Sequence, residues 1–89
     1  MNSVINFVEL ENRVISATYR NLMVKAKVVL VDRDSGVQLA DPVVTISSTL
    51  PNGSLRIRLP DSVRSGTYFL RAHNARGDEV ARSVDFEVG

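Results

Sequence analysis

Leu55-Arg56-Ile57-Arg58-Leu59 alternates apolar and charged residues without a break. A two-residue period of this kind puts three aliphatic side chains on one face and both arginines on the other, as in an antiparallel strand buried on one side only. The segment is followed by Pro60 and preceded by Pro51-Asn52-Gly53-Ser54. Asn52-Gly53 is the strongest hairpin signal in the chain, because both residues tolerate the positive φ of a type I′ turn, and it is expected to join two adjacent antiparallel strands.

Working outward, the same period recurs. In Thr67 to His73 the parity places Tyr68, Leu70 and Ala72 inward and Phe69, Arg71 and His73 outward. The final segment places Val84, Phe86 and Val88 inward. That parity would also bury Arg82, so a bulge is expected near Arg82, with Ala81 turned to the core instead. Lys25 to Val31 puts Ala26, Val28 and Leu30 on one face and Lys25, Lys27, Val29 and Val31 on the other. Upstream, Ile15 and Ala17 are the inward residues of a second strand, and either Ile5 and Phe7 or Val4 and Val8 are those of a first. Pro42 suits the start of a strand or an edge, since proline donates nothing to a ladder. Turn residues separate these segments at Glu11-Asn12, Asp32 to Gly36, Asp41-Pro42, Ser65-Gly66 and Asn74 to Gly77. No segment sustains a helical period over three turns, although Pro60 to Arg64 can form one turn. The expected fold is all-β: an immunoglobulin-like Greek-key β-sandwich of about seven strands, with little or no helix, in one domain spanning residues 1–89.

The 89 residues hold no cysteine and no tryptophan, with 44% hydrophobic and 24% charged residues and a net charge of +1. A chain this short buries only about 60–65% of its unfolded surface, so its apolar residues are largely committed to one core. The longest apolar run, Val28-Val29-Leu30-Val31, is far below the ~20 residues of a membrane-spanning helix, and no membrane insertion is expected. Met1-Asn2-Ser3-Val4 shows neither the basic nor the apolar region of a secretory signal.

A resemblance to the immunoglobulin-like, plexin and transcription-factor repeat, the IPT/TIG domain, covers nearly the whole chain. It is carried by Asn21-Leu22, by Ala26-Lys27-Val28-Val29-Leu30 ahead of the turn at Gly36, and by Leu55-Arg56-Ile57-Arg58-Leu59-Pro60. Gly66-Thr67-Tyr68, Asn74, Gly77 and Phe86-Glu87-Val88 resemble the family's ending. Tyr19 departs from the pattern, standing where the family commonly has a glycine. The resemblance implies a non-catalytic interaction, spacer or assembly module of a bacterial surface, secreted or phage structural protein, extracellular or cell-surface in location.

The residues themselves support structural roles for Gly66, Tyr68, Asn74 and Gly77. A glycine can open a strand at unusual φ, a buried tyrosine can return its hydroxyl to loop backbone, and Asn and Gly suit a tight turn. Catalytic chemistry has little to draw on: His73 is the lone histidine, on outward parity with no carboxylate beside it in sequence, and no serine occupies a nucleophile elbow. Asp32-Arg33-Asp34-Ser35-Gly36 mimics a calcium loop, but glycine comes one position early and the twelfth position is Val43. Neither cofactor nor metal is expected. Asn52-Gly53-Ser54 also fits a glycosylation sequon.

If Lys25 to Val31 neighbours Thr67 to His73, then Val29, Val31 and Phe69 share an outward face rimmed by Arg71, Asp85 and Glu87. Such a patch reads as a protein interface, to a neighbouring domain or a second copy, unless a loop of the chain covers it. Two other readings compete. A polysaccharide-binding accessory domain would want exposed aromatic platforms, of which five aromatics offer few. A DNA-contacting domain would use loop arginines such as Arg33, Arg64 and Arg76, although the near-neutral charge argues against nucleic acid.

Overall fold

The computed structural model describes residues 3–89, with the side chains of Val8 and of residues 41–43 outside the description. Eight strands follow one another: β1 (Val4–Glu11), β2 (Val14–Arg20), β3 (Lys27–Asp32), β4 (Gln38–Thr45), β5 (Gly53–Arg58), β6 (Gly66–His73), β7 (Glu79–Arg82) and β8 (Phe86–Val88). They form two antiparallel sheets, β1-β2-β5 and β4-β3-β6-β7, with β8 also paired to β6. β7 and β8 are thus two halves of one last strand, and the whole is an immunoglobulin-like Greek-key sandwich, as the alternating segments imply.

The core lies between the sheets. Leu55, Ile57 and Leu59 are buried while Arg56 and Arg58 are exposed, and Ile15 and Ala17 of β2 pair directly with Ile57 and Leu55. From the other sheet come Val28 and Leu30 of β3 and Tyr68, Leu70 and Ala72 of β6. In β1 the inward pair is Ile5 and Phe7, not Val4, which is exposed; Val8, the other residue of that alternative, lies outside the described side chains. A bulge between Phe7 and Glu9 then resets the parity so that Leu10 packs on the core. Phe7 stacks on Phe86 of β8 with ring centroids 4.6 Å apart, joining the two sheets. Pro42 belongs to the undescribed side chains; its strand, β4, is the edge of the larger sheet.

Two expectations are overturned and one is made more exact. Asn52-Gly53 joins no adjacent strands, because β4 and β5 lie in different sheets. Gly53 is required for another reason: it faces Tyr19 across the β2–β5 ladder, and a Cβ there would come 2.6 Å from the buried tyrosine's hydroxyl. The two-residue hairpin with positive φ at both central positions is Asn12-Arg13, at 52° and 61°. Arginine has no intrinsic liking for that conformation. Here its guanidinium donates to the carbonyls of Pro60 (2.7 Å) and Val63 (3.2 Å), and its own carbonyl accepts from Leu59, which hold it in place.

Second, the bulge expected near Arg82 is present two residues before it, at Val80, since Ala81 pairs with Ala72 and Glu79 with His73, and Ala81 packs toward the core as expected. Third, Val84 is 68% exposed, not inward. The last strand breaks at Ser83, which is buried, exchanges backbone hydrogen bonding with Leu70 (N–H to O, 2.8 Å) and accepts the Leu70 N–H on its hydroxyl (2.9 Å). The interruption releases Val84 outward before Phe86 and Val88 return to the core. Pro60 to Val63 forms a single i to i+3 turn and no helix.

The loops gather at two ends. At the first, the β2–β3, β4–β5 and β6–β7 loops meet the start of β1, fastened by Leu22 N–H to Pro51 O (3.1 Å) and Ser3 Oγ to Asn21 O (2.8 Å). At the second lie the β1–β2 hairpin, the β3–β4 turn, the β5–β6 loop and the end of β8.

Candidate functional site

β3 is buried on both sides, with Val28, Val29, Leu30 and Val31 all inaccessible, and that continuous burial marks the site. Val28 and Leu30 serve the core. Val29 and Val31 lie on the opposite face, where they form a second, separate cluster with Phe69 of β6. β3 and β6 are indeed neighbours: Val31 is the direct partner of Phe69, and Val29 of Arg71.

The cluster is not the bare patch that the sequence suggests. Phe69 is only 5% exposed. Two arginines cover it: the Arg82 guanidinium carbon lies 5.0 Å from the ring centroid and that of Arg71 5.6 Å. Their aliphatic stems give apolar cover while the charged heads stay wet, and the ring face attracts each cation. Arg71 therefore lies over the cluster rather than at its rim.

Arg71 and Arg82 are also directly paired across β6 and β7. Like charges opposite each other destabilise a sheet unless something answers them. Glu79 does so: its carboxylate accepts from Arg82 at 2.9 and 3.2 Å and stands 2.7 Å from Arg71 Nε as an ion pair. The Arg71 contact is close without being aligned as a hydrogen bond, since that Nε has no hydrogen-bond partner. The hydrogen bond from Arg82, with the attraction of Arg82, Arg71 and His73, holds the Glu79 carboxyl below its ordinary value against the opposing effect of partial burial.

Asp85 and Glu87, expected on the rim, do other things. Asp85 pairs with Arg33 at 3.2 Å, and Glu87 stands exposed on β8. The acid of this face is Glu79. Its signal is visible only with the β6–β7 register, which sets Arg71 against Arg82 and so calls for a carboxylate.

His73 closes one end of this face. Its Nδ1–H donates to the Gly77 carbonyl at 3.1 Å, and its Nε2 lies 3.1 Å from the Gln38 side-chain oxygen. The other residues singled out in the sequence have structural surroundings. Tyr68 donates its hydroxyl to the Arg64 carbonyl (2.9 Å), as a tyrosine corner does. Gly66 opens β6, and a Cβ there would touch the Tyr68 ring at an ordinary 3.5 Å. Asn74 Oδ1 accepts from the N–H groups of Arg76 and Asp78, and Gly77 takes φ 90° in the same turn.

The competing sites do not assemble. Arg33 and Arg64 sit in loops of the second end and Arg76 in a loop of the first, so the three arginines share no surface. Tyr19, Tyr68, Phe69 and Phe86 are buried, which leaves no flat aromatic platform among them. The Asp32 to Gly36 turn is closed by its own backbone, with Gly36 N–H to Asp32 O at 2.8 Å. Among the described residues no three acidic or histidine side chains converge as metal ligands, and Asp41 is outside the described side chains. Nor is any helix long and apolar enough to cross a membrane.

Comparison with protein-family models, with curated proteins and with solved structures finds no match for this chain.

Proposed function

We propose that this domain is a non-catalytic immunoglobulin-like interaction or assembly module whose contact surface is the outer face of β3, β6 and β7. One observation carries the reading. A sandwich needs one apolar face per sheet, yet the larger sheet has buried apolar residues on both, and the Phe69 ring of the outer set lies under two arginines. Arginine over an aromatic ring, flanked by a carboxylate, is the composition of an interface centre, where aromatic and arginine side chains carry most of the binding energy. The resemblance to IPT/TIG domains supports the same class of role, and with it a surface, secreted or phage structural setting. The partner is another protein surface, a neighbouring domain or a second copy.

The test is sedimentation velocity over a wide concentration range, with an Arg71→Glu/Arg82→Glu variant as comparison. Association of the wild-type chain that the double variant weakens, while thermal melting shows the variant still folded, supports this face as the contact. Association as strong in the variant as in the wild type places the contact elsewhere.

A further inference from the structure

The two ends of the sandwich differ in a way the outer face does not explain. Between the β2–β3 and β6–β7 loops of the first end lies a cleft of about 320 Å³, lined by Leu22, Met23, Val24, Ala26, Arg76 and Val80 among others. Met23 is 66% exposed at its mouth, and Val24 and Leu50 are also uncovered. Arg76 is part of its lining and Lys25 stands between the lining residues Val24 and Ala26 in sequence; both are exposed, and among the described residues neither takes part in an ion pair. Asp78 is the acid of these loops.

The second end has the opposite character. Glu11, Asp34, Asp61 and Glu87 are exposed there against the cations Arg58 and Arg64. Arg33 is engaged by Asp85, and Arg13 is turned onto the carbonyls of Pro60 and Val63. The end also exposes Val37, in the β3–β4 turn directly after Asp34-Ser35-Gly36. That turn projects an acid and an aliphatic side chain three residues apart, and the cleft of the first end offers an apolar floor with the cation Arg76 in its lining and Lys25 in the adjoining loop.

We propose that copies of this chain associate head to tail, with the β3–β4 turn of one copy seated in the β2–β3/β6–β7 cleft of the next. Val37 fills the apolar cleft, and Asp34 meets Lys25 and Arg76. The contact is heterologous: each copy keeps one free cleft and one free turn, so association extends instead of stopping at a dimer. An end face bounded by about 23 × 19 Å offers roughly half of the ~800 Å² per partner typical of a stable complex, so the contact is weak between separate chains. It is also salt-dependent, because the screening length falls from about 30 Å at 0.01 M to about 3 Å at 1 M ionic strength. The proposal stands independently of the outer face.

A charge-swap experiment tests it. The wild-type chain, Lys25→Glu/Arg76→Glu and Asp34→Lys/Glu87→Lys are each followed by sedimentation velocity at low salt, alone and with the two variants mixed in equal amounts. All four positions are exposed, and thermal melting checks that each variant remains folded. The wild type is expected to form species beyond the dimer as concentration rises, and to lose them in 1 M salt. Each variant alone is expected to lose the species beyond the dimer, and the mixture to regain them, because each swapped end then finds its complement. A wild type without species beyond the dimer at the highest concentration, a variant that forms them as the wild type does, or a mixture that does not regain them would each overturn the proposal. The Arg71→Glu/Arg82→Glu variant is expected to keep head-to-tail association, which separates failure here from failure of the outer-face reading.

Discussion

The outer faces of the two sheets meet solvent in opposite ways. On the smaller sheet, Asn6, Thr18, Arg20, Ser54, Arg56 and Arg58 point outward and are exposed, as an antiparallel sheet with one wet side should have them. On the larger sheet, Val29, Val31 and Phe69 occupy the equivalent positions and are buried, the Phe69 ring beneath Arg71 and Arg82. The contrast shows that alternation is a rule about which side a residue faces and not about whether water reaches it. The smaller sheet ends at its polar side chains. The larger one has a second, thin layer, closed over Phe69 by the side chains of Arg71 and Arg82.

The sharpest way to break this comparison is to put the same charge on both faces. Phe69→Asp places a carboxylate between Val29 and Val31 and is expected to cost about 3 kcal/mol or more, enough to unfold much of so small a domain. Arg56→Asp, on the smaller sheet, is expected to change stability by no more than ~0.5 kcal/mol. Denaturant midpoints of the two variants check this, and equal effects would erase the distinction between the faces. Next in size is Ser83→Ala, which leaves the buried Leu70 N–H without the hydroxyl it uses, at about 1–3 kcal/mol in the same measurement. It tests whether the interrupted last strand is held to β6 by that bond.

Arg82→Ser asks about the cover itself. Losing one cation over the ring and its aliphatic stem is expected to cost about 1 kcal/mol and to raise the binding of an apolar fluorescent dye, with no increase for Arg58→Ser on the other face. The smallest effect is one of pH. Because the folded-state value of Glu79 is lowered, its contribution is complete above the ordinary value of 4.5 and is lost as pH falls through the lowered one. The side chain is 38% exposed, so the loss is small. Comparing melting temperatures of wild type and Glu79→Gln across the acid range should show the difference narrowing as pH drops.

How legible these features are in the sequence follows from how local their causes are. Leu55 to Leu59 can be read directly because its neighbours in β2 supply matching alternation and nothing lies over Arg56 and Arg58. The outward parity of Val29, Val31 and Phe69 is legible for the same reason. The cover over Phe69 is not, since it depends on Arg82 reaching across from β7, and on a register that brings Arg71 and Arg82 opposite each other. Asn52-Gly53 misleads because its glycine answers to Tyr19 in another strand, while Asn12-Arg13 is held by loop carbonyls distant in sequence. Parity also fails at Val84, where Ser83 interrupts the strand and the count starts again. The oppositely charged ends could not be drawn from the near-neutral total, because only the fold sorts Lys25 and Arg76 from Asp34 and Glu87.

The most direct test of the outer face as a contact surface is the concentration dependence of backbone amide chemical shifts, read residue by residue. The account predicts progressive shifts at Val29 to Val31, Phe69 to Arg71 and Glu79 to Arg82 as protein concentration rises, with the amides of Ser16 to Thr18 and Ser54 to Arg56 unmoved. Shifts on the smaller sheet with a silent larger one, or none on either face while the chain associates, would contradict it.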